Sequence, residues 1–213
     1  MLTGGIRFKS FKIKSKSQEV KKKLRYLIKE NNEVLNSLST NYKYSYTGNL
    51  ISKYKKFNNF RVIGLGGSTL GSQAIYQFLS KKIKKNFKFV DNLDPLKNKE
   101  NKKKYLNLII SKSGNTIETI TNANILIKKK DKNIFLTENK NSYIYLLAKK
   151  LKSEIIHHNN FIGGRYSVLS EVGMLPAELM NLNINKFKQY NFLIKNKIFL
   201  KKLISNVAST LYF

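Results

Sequence analysis

Between residues 60 and 156 short apolar runs alternate with segments of helical periodicity, and this alternation restricts the fold more than any other feature of the sequence. Short apolar strands separated by helices predict βαβ units, which build a parallel sheet with helices on both faces. The predicted fold class is therefore α/β, a three-layer doubly wound parallel sheet. The strands are expected at Phe60–Leu65, Phe87–Val90, Tyr105–Ile110, Asn133–Leu136 and Glu154–Ile156.

The helices between these strands are expected at Thr69–Leu79, Thr116–Lys130 and Ser142–Leu151. The regions on either side of the alternation are predicted to be mainly helical. Apolar residues at helical spacing predict an amphipathic helix over Gln18–Leu38, and further helices follow from Val168 onward. A short exposed strand is expected at Phe8–Ile13, where apolar and basic residues alternate.

Basic residues outnumber acidic ones by 41 to 12, which gives a formal net charge of +29. Such a charge is typical of proteins that bind nucleic acid or an anionic membrane. Only four of the basic residues are arginine, which base readout favours, and the lysines are spread along the whole chain. Lysine and asparagine share A-rich codons, so compositional drift explains both. We therefore expect neither a specific nucleic-acid partner nor a membrane partner.

Cysteine is absent, which excludes disulfides and thiolate metal sites. No apolar run approaches the length of a membrane span, and the first residues lack the apolar stretch of a secretory signal. The expected location is the cytoplasm, and neither a metal nor another cofactor is expected.

The segment Gly64–Gly71 follows the first strand and leads into a helix. Glycines let the backbone turn tightly and approach a ligand, and the N–H groups at a helix start favour an anion. The dinucleotide pattern G-x-G-x-x-G is not met because Thr69 stands in place of its third glycine, although Asp91 is a possible ribose partner. A glycine-rich turn without a ligand is the other alternative.

The segment Ser111–Thr119 lies between another strand and its helix and carries several hydroxyl groups. Hydroxyl and backbone donors at a helix N-terminus suit the three terminal oxygens of a phosphate monoester. An ordinary capping box is the alternative, with Ser113 or Asn115 as the N-cap and Glu118 reaching back. Capping and anion binding use the same N–H groups, so the sequence allows both.

A third segment, Gly163–Ser167, places Arg165 after two glycines in a chain where arginine is scarce. A guanidinium at this point is suited to stabilise negative charge that develops on a substrate. The alternative is a surface ion pair with Glu171. His157 and His158 precede this segment and are expected to form an ordinary strand end.

Together the three segments resemble the phosphoglucose isomerase family. GLGGSTLGSQAI resembles the family's first sugar-phosphate loop, SKSGNTIETITNA its phosphate loop, and FIGGRYSVLSEVGMLPAELM its Gly-Gly-Arg signature. The resemblance covers residues 60 to 182. It implies a sugar-isomerase (SIS) domain with a flavodoxin-like sheet. It also implies an aldose–ketose isomerase that interconverts glucose 6-phosphate and fructose 6-phosphate in glycolysis and gluconeogenesis.

The same resemblance implies roles for individual residues. Hydroxyl groups of the second segment would grip the substrate phosphate, its backbone would add N–H donors, and the two glycine segments would lie along the sugar. Arg165 would stabilise the enediolate, and Glu118 is an accessory candidate. The implied substrate-binding residues are Gly67, Ser68, Ser111, Lys112, Ser113, Gly114, Asn115, Thr116 and Gly164.

The family's catalytic glutamate lies in a Gln-x-x-x-Glu-Ser segment of a second domain, and no such segment occurs among these 213 residues. The resemblance therefore implies the N-terminal portion of an isomerase, inactive alone and a homodimer when complete. The implied parts are a strand-and-helix extension over 1–55, a sugar-phosphate-binding domain over 56–185, and a helix over 186–213 that leads toward the second domain. A non-catalytic sugar-phosphate-binding module or regulator of the same fold is the alternative.

Overall fold

The computed structural model describes residues 17–30, 32–93, 104–190, 193 and 196–212. Contacts divide the chain into two compact units. The larger contains residues 43–184, and the smaller contains the described parts of 1–42 and 185–213. The domain boundaries drawn from the sequence stay a prediction, and the strand expected at Phe8–Ile13 lies outside the described residues.

The larger unit is built on a five-stranded sheet in the order β2-β1-β3-β4-β5, and every pair of neighbouring strands is parallel. Each strand begins and ends within two residues of a predicted strand, so the predicted parallel α/β fold is confirmed. The strands are β1 Asn59–Ile63, β2 Asn86–Val90, β3 Leu106–Ile110, β4 Lys132–Thr137 and β5 Glu154–His157.

Helices cover both faces of this sheet. The described helices, in chain order, are α1 Ser17–Lys29, α2 Glu33–Asn36, α3 Gly48–Tyr54, α4 Leu70–Phe78, α5 Ile117–Leu126, α6 Tyr143–Lys150, α7 Glu171–Leu179 and α8 Lys197–Tyr212. Apolar residues of α3, α4 and α7 pack on one face, and those of α5 and α6 pack on the other.

Alternate side chains of each strand enter two separate cores. In β1, Phe60 and Val62 belong to the core under α3, α4 and α7, whereas Ile63 belongs to the core under α5 and α6. Phe60 stacks on Phe87 of the neighbouring strand, with the ring centroids 4.5 Å apart. Because both faces are covered, the strands are nearly continuous apolar runs, and this is what makes them recognisable in the sequence.

The second core contains a polar row at the amino end of the sheet. Arg61 is buried, and its guanidinium donates to Asn107 Oδ1 at 3.3 Å and to the carbonyl oxygen of Leu126 at 3.1 Å. Asn107 in turn donates to Asn133 Oδ1 at 2.8 Å, and the three residues are register partners on adjacent strands. Arg61 therefore serves the packing of the sheet and is not available for a partner molecule.

Two helices are shorter than predicted. The helix expected over Gln18–Leu38 is interrupted, because Asn32 caps α2 by accepting from the Val34 N–H at 2.9 Å. The helix expected to reach Lys130 ends at Leu126, and a turn follows in which the Asp131 carboxylate accepts from the Lys128 N–H at 2.9 Å. In both places a short polar side chain bonds to nearby backbone and ends or restarts the helix.

The smaller unit is helical in its described part. Helix α1 packs against α8, although the two are separated by most of the chain. Among the described residues, no helix is both long enough and apolar enough to cross a bilayer.

Phe135 is fully buried in the sheet, and its replacement tests the second core. We expect Phe135→Ala to lower the free energy of unfolding by about 3–5 kcal/mol, because loss of the ring leaves a cavity. Urea denaturation followed by circular dichroism measures this. The control is Phe78→Ala, because that ring is 90% exposed and its loss should cost below about 0.5 kcal/mol. Equal effects of the two substitutions would contradict the assigned burial.

Candidate functional site

The strand order places the loops after β1 and β3 side by side at the carboxyl edge of the sheet. The chain moves outward from β1 to β2 and then crosses back to β3 on the other side of β1. At such a switch point the two loops leave in opposite directions and create a crevice, where open α/β sheets bind ligands. The glycine segment Gly64–Gly71 and the hydroxyl segment Ser111–Thr119 both begin at this point.

The Gly-Gly-Arg segment reaches the same edge through a backbone contact with the first loop. A Cβ atom at Gly67 would lie 2.2 Å from the carbonyl oxygen of Gly164, so only glycine fits there. The hydroxyl of Ser167 lies 2.8 Å from the carbonyl oxygen of Gly164 and 3.4 Å from that of Gly67. The structure thus brings Gly67 and Gly164 together, and half-buried Ser68 follows in the same 3-10 turn.

The hydroxyl groups predicted to hold phosphate converge on one another. Thr116 Oγ1 lies 3.1 Å from Ser111 Oγ and 3.3 Å from Ser113 Oγ. Ser111 is buried at the base of the loop, Thr116 is half-buried, and Ser113 is exposed at the top. Two hydroxyls within hydrogen-bond distance of a third form a compact donor set, which suits one group with several oxygen acceptors.

The backbone of this loop is held in shape from two sides. Within the loop, Ser111 Oγ accepts from the Gly114 N–H at 3.1 Å, and Ser113 Oγ accepts from the Asn115 N–H at 3.2 Å. Across the loop, Asn115 Oδ1 accepts from the Tyr143 N–H at the start of α6 at 3.0 Å. Gly114 has a φ of +68° and is so close to α6 that a Cβ atom would lie 2.0 Å from Oγ of the N-cap residue Ser142.

The start of α5 is open, and the capping box that the sequence left as an alternative is not formed. Thr116 is the N-cap residue, and its side chain makes no capping hydrogen bond. Neither Ser113 nor Asn115 occupies that position, and Glu118 is half-buried in the first turn without a hydrogen bond to the described residues. The N–H groups of residues 117–119 likewise have no partner among the described residues. Unsatisfied N–H groups at a helix start favour an anion.

The same holds for α4, the other helix that begins at the crevice. Its N-cap residue, Thr69, makes no side-chain capping bond, and its hydroxyl lies 3.3 Å from the Gly66 carbonyl oxygen. In contrast, α3, α6 and α7 are capped by the side chains of Thr47, Ser142 and Ser170. Side-chain caps are therefore missing at the starts of the two helices that follow β1 and β3.

Lys112 links the hydroxyl loop to the segment that precedes Gly163. Its ammonium donates to the carbonyl oxygen of Asn160 at 2.6 Å and lies 3.8 Å from Glu138 Oε1. Glu138 also binds Lys140, at 2.5 Å. The Lys112 side chain is thus a tie between loops, while its backbone N–H has no partner among the described residues.

Arg165 is exposed at the start of a 3-10 turn, and the alternative of an ion pair with Glu171 is not formed. Within the part of the chain that the structure describes, its guanidinium forms no hydrogen bond and no ion pair. Glu171 is buried instead, and its carboxylate accepts from the Ser45 N–H at 3.3 Å. Ser45 Oγ donates to the carbonyl oxygen of His157 at 2.5 Å. Ser45 therefore clamps both ends of the segment that carries Arg165.

His158 directly follows the last residue of β5 and is buried. The sequence predicted an ordinary strand end at this position. Its Nδ1 is 3.0 Å from the carbonyl oxygen of Asn159. Burial lowers the pKa of His158, and Lys112 acts in the same direction, while the Asn159 carbonyl and Glu138 oppose the shift. His158 is therefore held in its neutral form at neutral pH.

Sequence reasoning missed the residues that hold the three segments in place. Ser45 and Ser167 bond to the backbone of another segment, and Ser142 caps the helix beside the hydroxyl segment. Ser142 was recognisable as an N-cap because it precedes the apolar pattern of α6. Ser45 lies far from the motifs in the chain and has no sequence signal. Among the described residues, no group of three or more His, Asp or Glu side chains is placed to hold a metal ion.

Comparison with known proteins identifies relatives of this chain. The family described as phosphoglucose isomerase matches residues 12–196. A glucose-6-phosphate isomerase from Methanocaldococcus jannaschii is 35% identical over 185 residues, which are 76% of this chain and 45% of that protein. One from Borreliella afzelii is 36% identical over 154 residues, 63% of this chain and 29% of that protein. The chain thus spans less than half the length of these relatives.

Solved structures share the fold. A hypothetical protein from Thermus thermophilus matches with a TM-score of 0.71 at 20% identity, over 92% of this chain and 52% of that chain. The tagatose-6-phosphate ketose/aldose isomerase from Escherichia coli matches with a TM-score of 0.53 at 14% identity, over 68% of this chain and 45% of that chain. At these identities the comparison establishes the fold of the sheet and its helices.

Gly67→Ala tests the backbone contact that joins two of the segments. We expect this substitution to lower the free energy of unfolding by about 2 kcal/mol or more, because its Cβ would overlap the Gly164 carbonyl and the loops must separate. Thermal and urea denaturation measure this. Gly163→Ala is the matched control, since the nearest atom to its Cβ lies 3.9 Å away. If the two alanine variants were equally stable, the assigned contact would be wrong.

His158 should make stability dependent on pH. Its pKa in the folded chain is below the ordinary value of 6.5, so the unfolded chain binds the proton first. The free energy of unfolding should therefore fall as the pH drops below that value, by at most about 1.4 kcal/mol per pH unit for one proton. We expect His158→Gln to lose less stability than the parent between pH 7.5 and 5.5, measured by urea denaturation. The control is His157→Gln. If the pH profile of His158→Gln were the same as those of the parent and of this control, the assignment would be wrong.

Proposed function

Because this chain belongs to the phosphoglucose isomerase family, we propose that it serves the interconversion of glucose 6-phosphate and fructose 6-phosphate in the cytoplasm. Its own part in that reaction is to hold the phosphate and to line the sugar. One observation carries the proposal, namely the three converging hydroxyl groups in front of the open start of α5. Family membership favours a sugar phosphate over a dinucleotide, for which Asp91 was a possible ribose partner.

The phosphate would sit over Thr116, in reach of Ser111 and Ser113. Its oxygens accept hydrogen bonds from these hydroxyls and from the free N–H groups of the first turn of α5. The partial positive charge at the helix start, about half a charge, adds attraction. The N–H groups of Gly114 and Asn115 are now bonded within the loop, and they become donors to phosphate when the Ser111 and Ser113 hydroxyls turn toward it.

The sugar would extend from the phosphate toward the two glycine segments. Gly67, Ser68 and Gly164 offer backbone there without bulky side chains, so a hydroxylated ring can approach closely. Arg165 follows at once, exposed and without a partner among the described residues. Its guanidinium is the permanent positive charge that this segment brings toward the reacting carbons.

In the proposed reaction a base removes the proton from C2 and returns it to C1, and the intermediate is an enediolate. The role of Arg165 is to stabilise the negative oxygen of that enediolate, which is an interaction stronger in the transition state than with the substrate. The base is a glutamate that, by the family resemblance, belongs to a second domain. Glu118, half-buried beside the phosphate loop, is an accessory candidate for positioning the groups that open the ring.

The carboxyl edge is also apolar for a solvent-facing surface. Large exposed side chains surround the crevice on all three segments, and a ring of this kind is typical of a surface that another protein surface covers. We propose that further chain and a second subunit complete the site here, as in a homodimer. The exposed residues are Leu65, Leu70, Ile117, Phe161 and Tyr166. Neither a membrane nor base-specific nucleic-acid recognition is part of the proposal.

Binding of fructose 6-phosphate to the 213-residue chain tests the phosphate site. We expect Ser113→Ala with Thr116→Ala to weaken this binding by about 100-fold, because two hydrogen bonds to a charged group are lost. Isothermal titration calorimetry measures this, with fructose and inorganic phosphate alongside. The matched control is Ser52→Ala with Ser80→Ala, which removes two exposed hydroxyls from α3 and from the turn after α4.

Three outcomes would decide the proposal. The proposal is supported if fructose 6-phosphate binds the parent and the control variant but not the Ser113 and Thr116 variant, and is not converted to glucose 6-phosphate. The chain is then a phosphate-binding half that needs a base from elsewhere. Conversion by this chain alone would contradict the placement of the base in a second domain. Absence of binding in a chain shown to be folded would overturn the assignment of the phosphate site.

A further inference from the structure

We infer that the amino edge of the sheet, opposite the candidate site, is an electrostatic docking surface for the phosphate backbone of nucleic acid. Parallel strands all begin at the same edge, so the segments that lead into them lie side by side although they are far apart in the chain. Among the described residues, this amino edge consists of residues 55–58, 79–85, 104–105, 127–131 and 149–153, together with Lys132, the exposed first residue of β4.

The amino edge is far richer in lysine than the chain as a whole. Its 24 residues include fourteen lysines and a single acidic residue, Asp131, whereas the 213 residues of the chain include 37 lysines. All of the fourteen except Lys85 are exposed. Compositional drift raises the number of lysines everywhere, so it does not explain a roughly threefold enrichment at one edge. The lysines that are spread along the sequence are gathered by the topology.

Among the described residues, the carboxyl edge shows no such excess. The segments that follow the strands, 64–69, 91–93, 111–116, 138–142 and 158–165, contain three basic and two acidic residues. Both lysines among them bind the carboxylate of Glu138. Both edges are formed by loops of one sheet, and within its described residues the larger unit is electrically polarised along its strands.

Helix dipoles account for only a small part of this excess. Helices α3, α4, α5 and α6 end at the amino edge, and lysines near helix C-termini stabilise the helix dipole. Each C-terminus carries about half a negative charge, so four of them offset about 2 of the positive charges. In the described part of the chain, none of the exposed lysines of this edge forms an ion pair. Most of the positive charge is left for a partner.

The size and chemistry of the edge fit a nucleic-acid backbone. Five strands at a spacing of about 4.8 Å make it about 20 Å wide, and a duplex of that length carries about twelve phosphate charges. Thirteen exposed lysines supply a comparable positive charge. Lysine binds phosphate as a point charge and does not read bases bidentately as arginine does. The expected binding is therefore independent of base sequence and strongly weakened by salt.

A lipid surface is the less favoured partner. Stable attachment to lipid combines positive charge with an inserted apolar group. Every apolar side chain within the five segments is at least half-buried, and Phe78 at the end of α4 is the exposed aromatic side chain that borders them. The experiment below includes vesicles so that insertion of this single ring is tested directly.

The test is fluorescence anisotropy with a labelled 20-base-pair DNA duplex of arbitrary sequence, from 50 to 200 mM KCl. The edge variant replaces Lys81, Lys82, Lys84, Lys129 and Lys130 by glutamine. We expect it to bind at least about tenfold more weakly at 100 mM KCl and to reduce the slope of log affinity against log salt by up to about 4. The control variant makes the same change of net charge at Lys21, Lys22, Lys29, Lys197 and Lys201, which are exposed on α1 and α8.

The inference stands if the edge variant loses affinity and salt dependence while the control variant changes less than about threefold. Equal losses in both variants would show that total charge and not this edge binds the duplex, and would overturn it. Absence of duplex binding by the parent chain at 50 mM KCl would also overturn it. The inference would also be overturned if the parent chain sediments with phosphatidylglycerol vesicles, the Phe78→Ala variant does not, and neither binds the duplex. Saturating fructose 6-phosphate should leave duplex affinity unchanged, so failure of the proposed isomerase site leaves this test intact.

Discussion

The contact between Gly67 and Gly164 is the constraint on which the candidate site depends. It joins the loop after β1 to a segment that the chain reaches almost a hundred residues later, and it leaves no room for a Cβ atom at Gly67. A contact between two backbones fixes position more tightly than one between flexible side chains. Arg165 follows Gly164 directly, so the position of its backbone relative to the first loop is set here.

The remainder of the Gly-Gly-Arg segment is fixed at other points by polar contacts. Ser45 bonds to the carbonyl of His157 at one end and to the carboxylate of Glu171 at the other, and Lys112 holds Asn160 between them. Lys112 belongs to the hydroxyl segment, so its contact with Asn160 joins the hydroxyl segment to the Gly-Gly-Arg segment even without a ligand. Such preorganisation lowers the cost of ordering these loops when a substrate binds.

The strands and the three motifs could be predicted from the sequence because each depends on local pattern. Apolar runs identify the strands, and glycine or hydroxyl clusters after them identify the loops. The two alternatives that the structure rules out, the capping box at Glu118 and the Arg165–Glu171 pair, fail for the opposite reason, since both choose a partner from the nearby sequence. Glu171 instead binds Ser45, which lies 126 positions away. A partner brought close by the fold has no signature in the spacing of residues.

The concentration of lysines at the amino edge could not be recognised from the sequence without the fold. Their positions look scattered along the chain, and only the parallel direction of all five strands places them at one edge. An antiparallel sheet with the same loops would have divided them between two edges. Composition therefore set the number of positive charges, while topology set where the charge is concentrated.

The two edges of the sheet are electrically separate. A strand of five residues such as β1 spans about 16 Å, which is about two Debye lengths at physiological salt. The lysines of the amino edge therefore add little to the binding of a phosphate at the carboxyl edge, and substrate attraction does not explain their number. Conversely, the carboxyl edge offers an anion short-range donors, namely hydroxyls and the open starts of α4 and α5. Substitutions at either edge should leave the electrostatics of the other nearly unchanged, because screening removes the long-range part of the interaction.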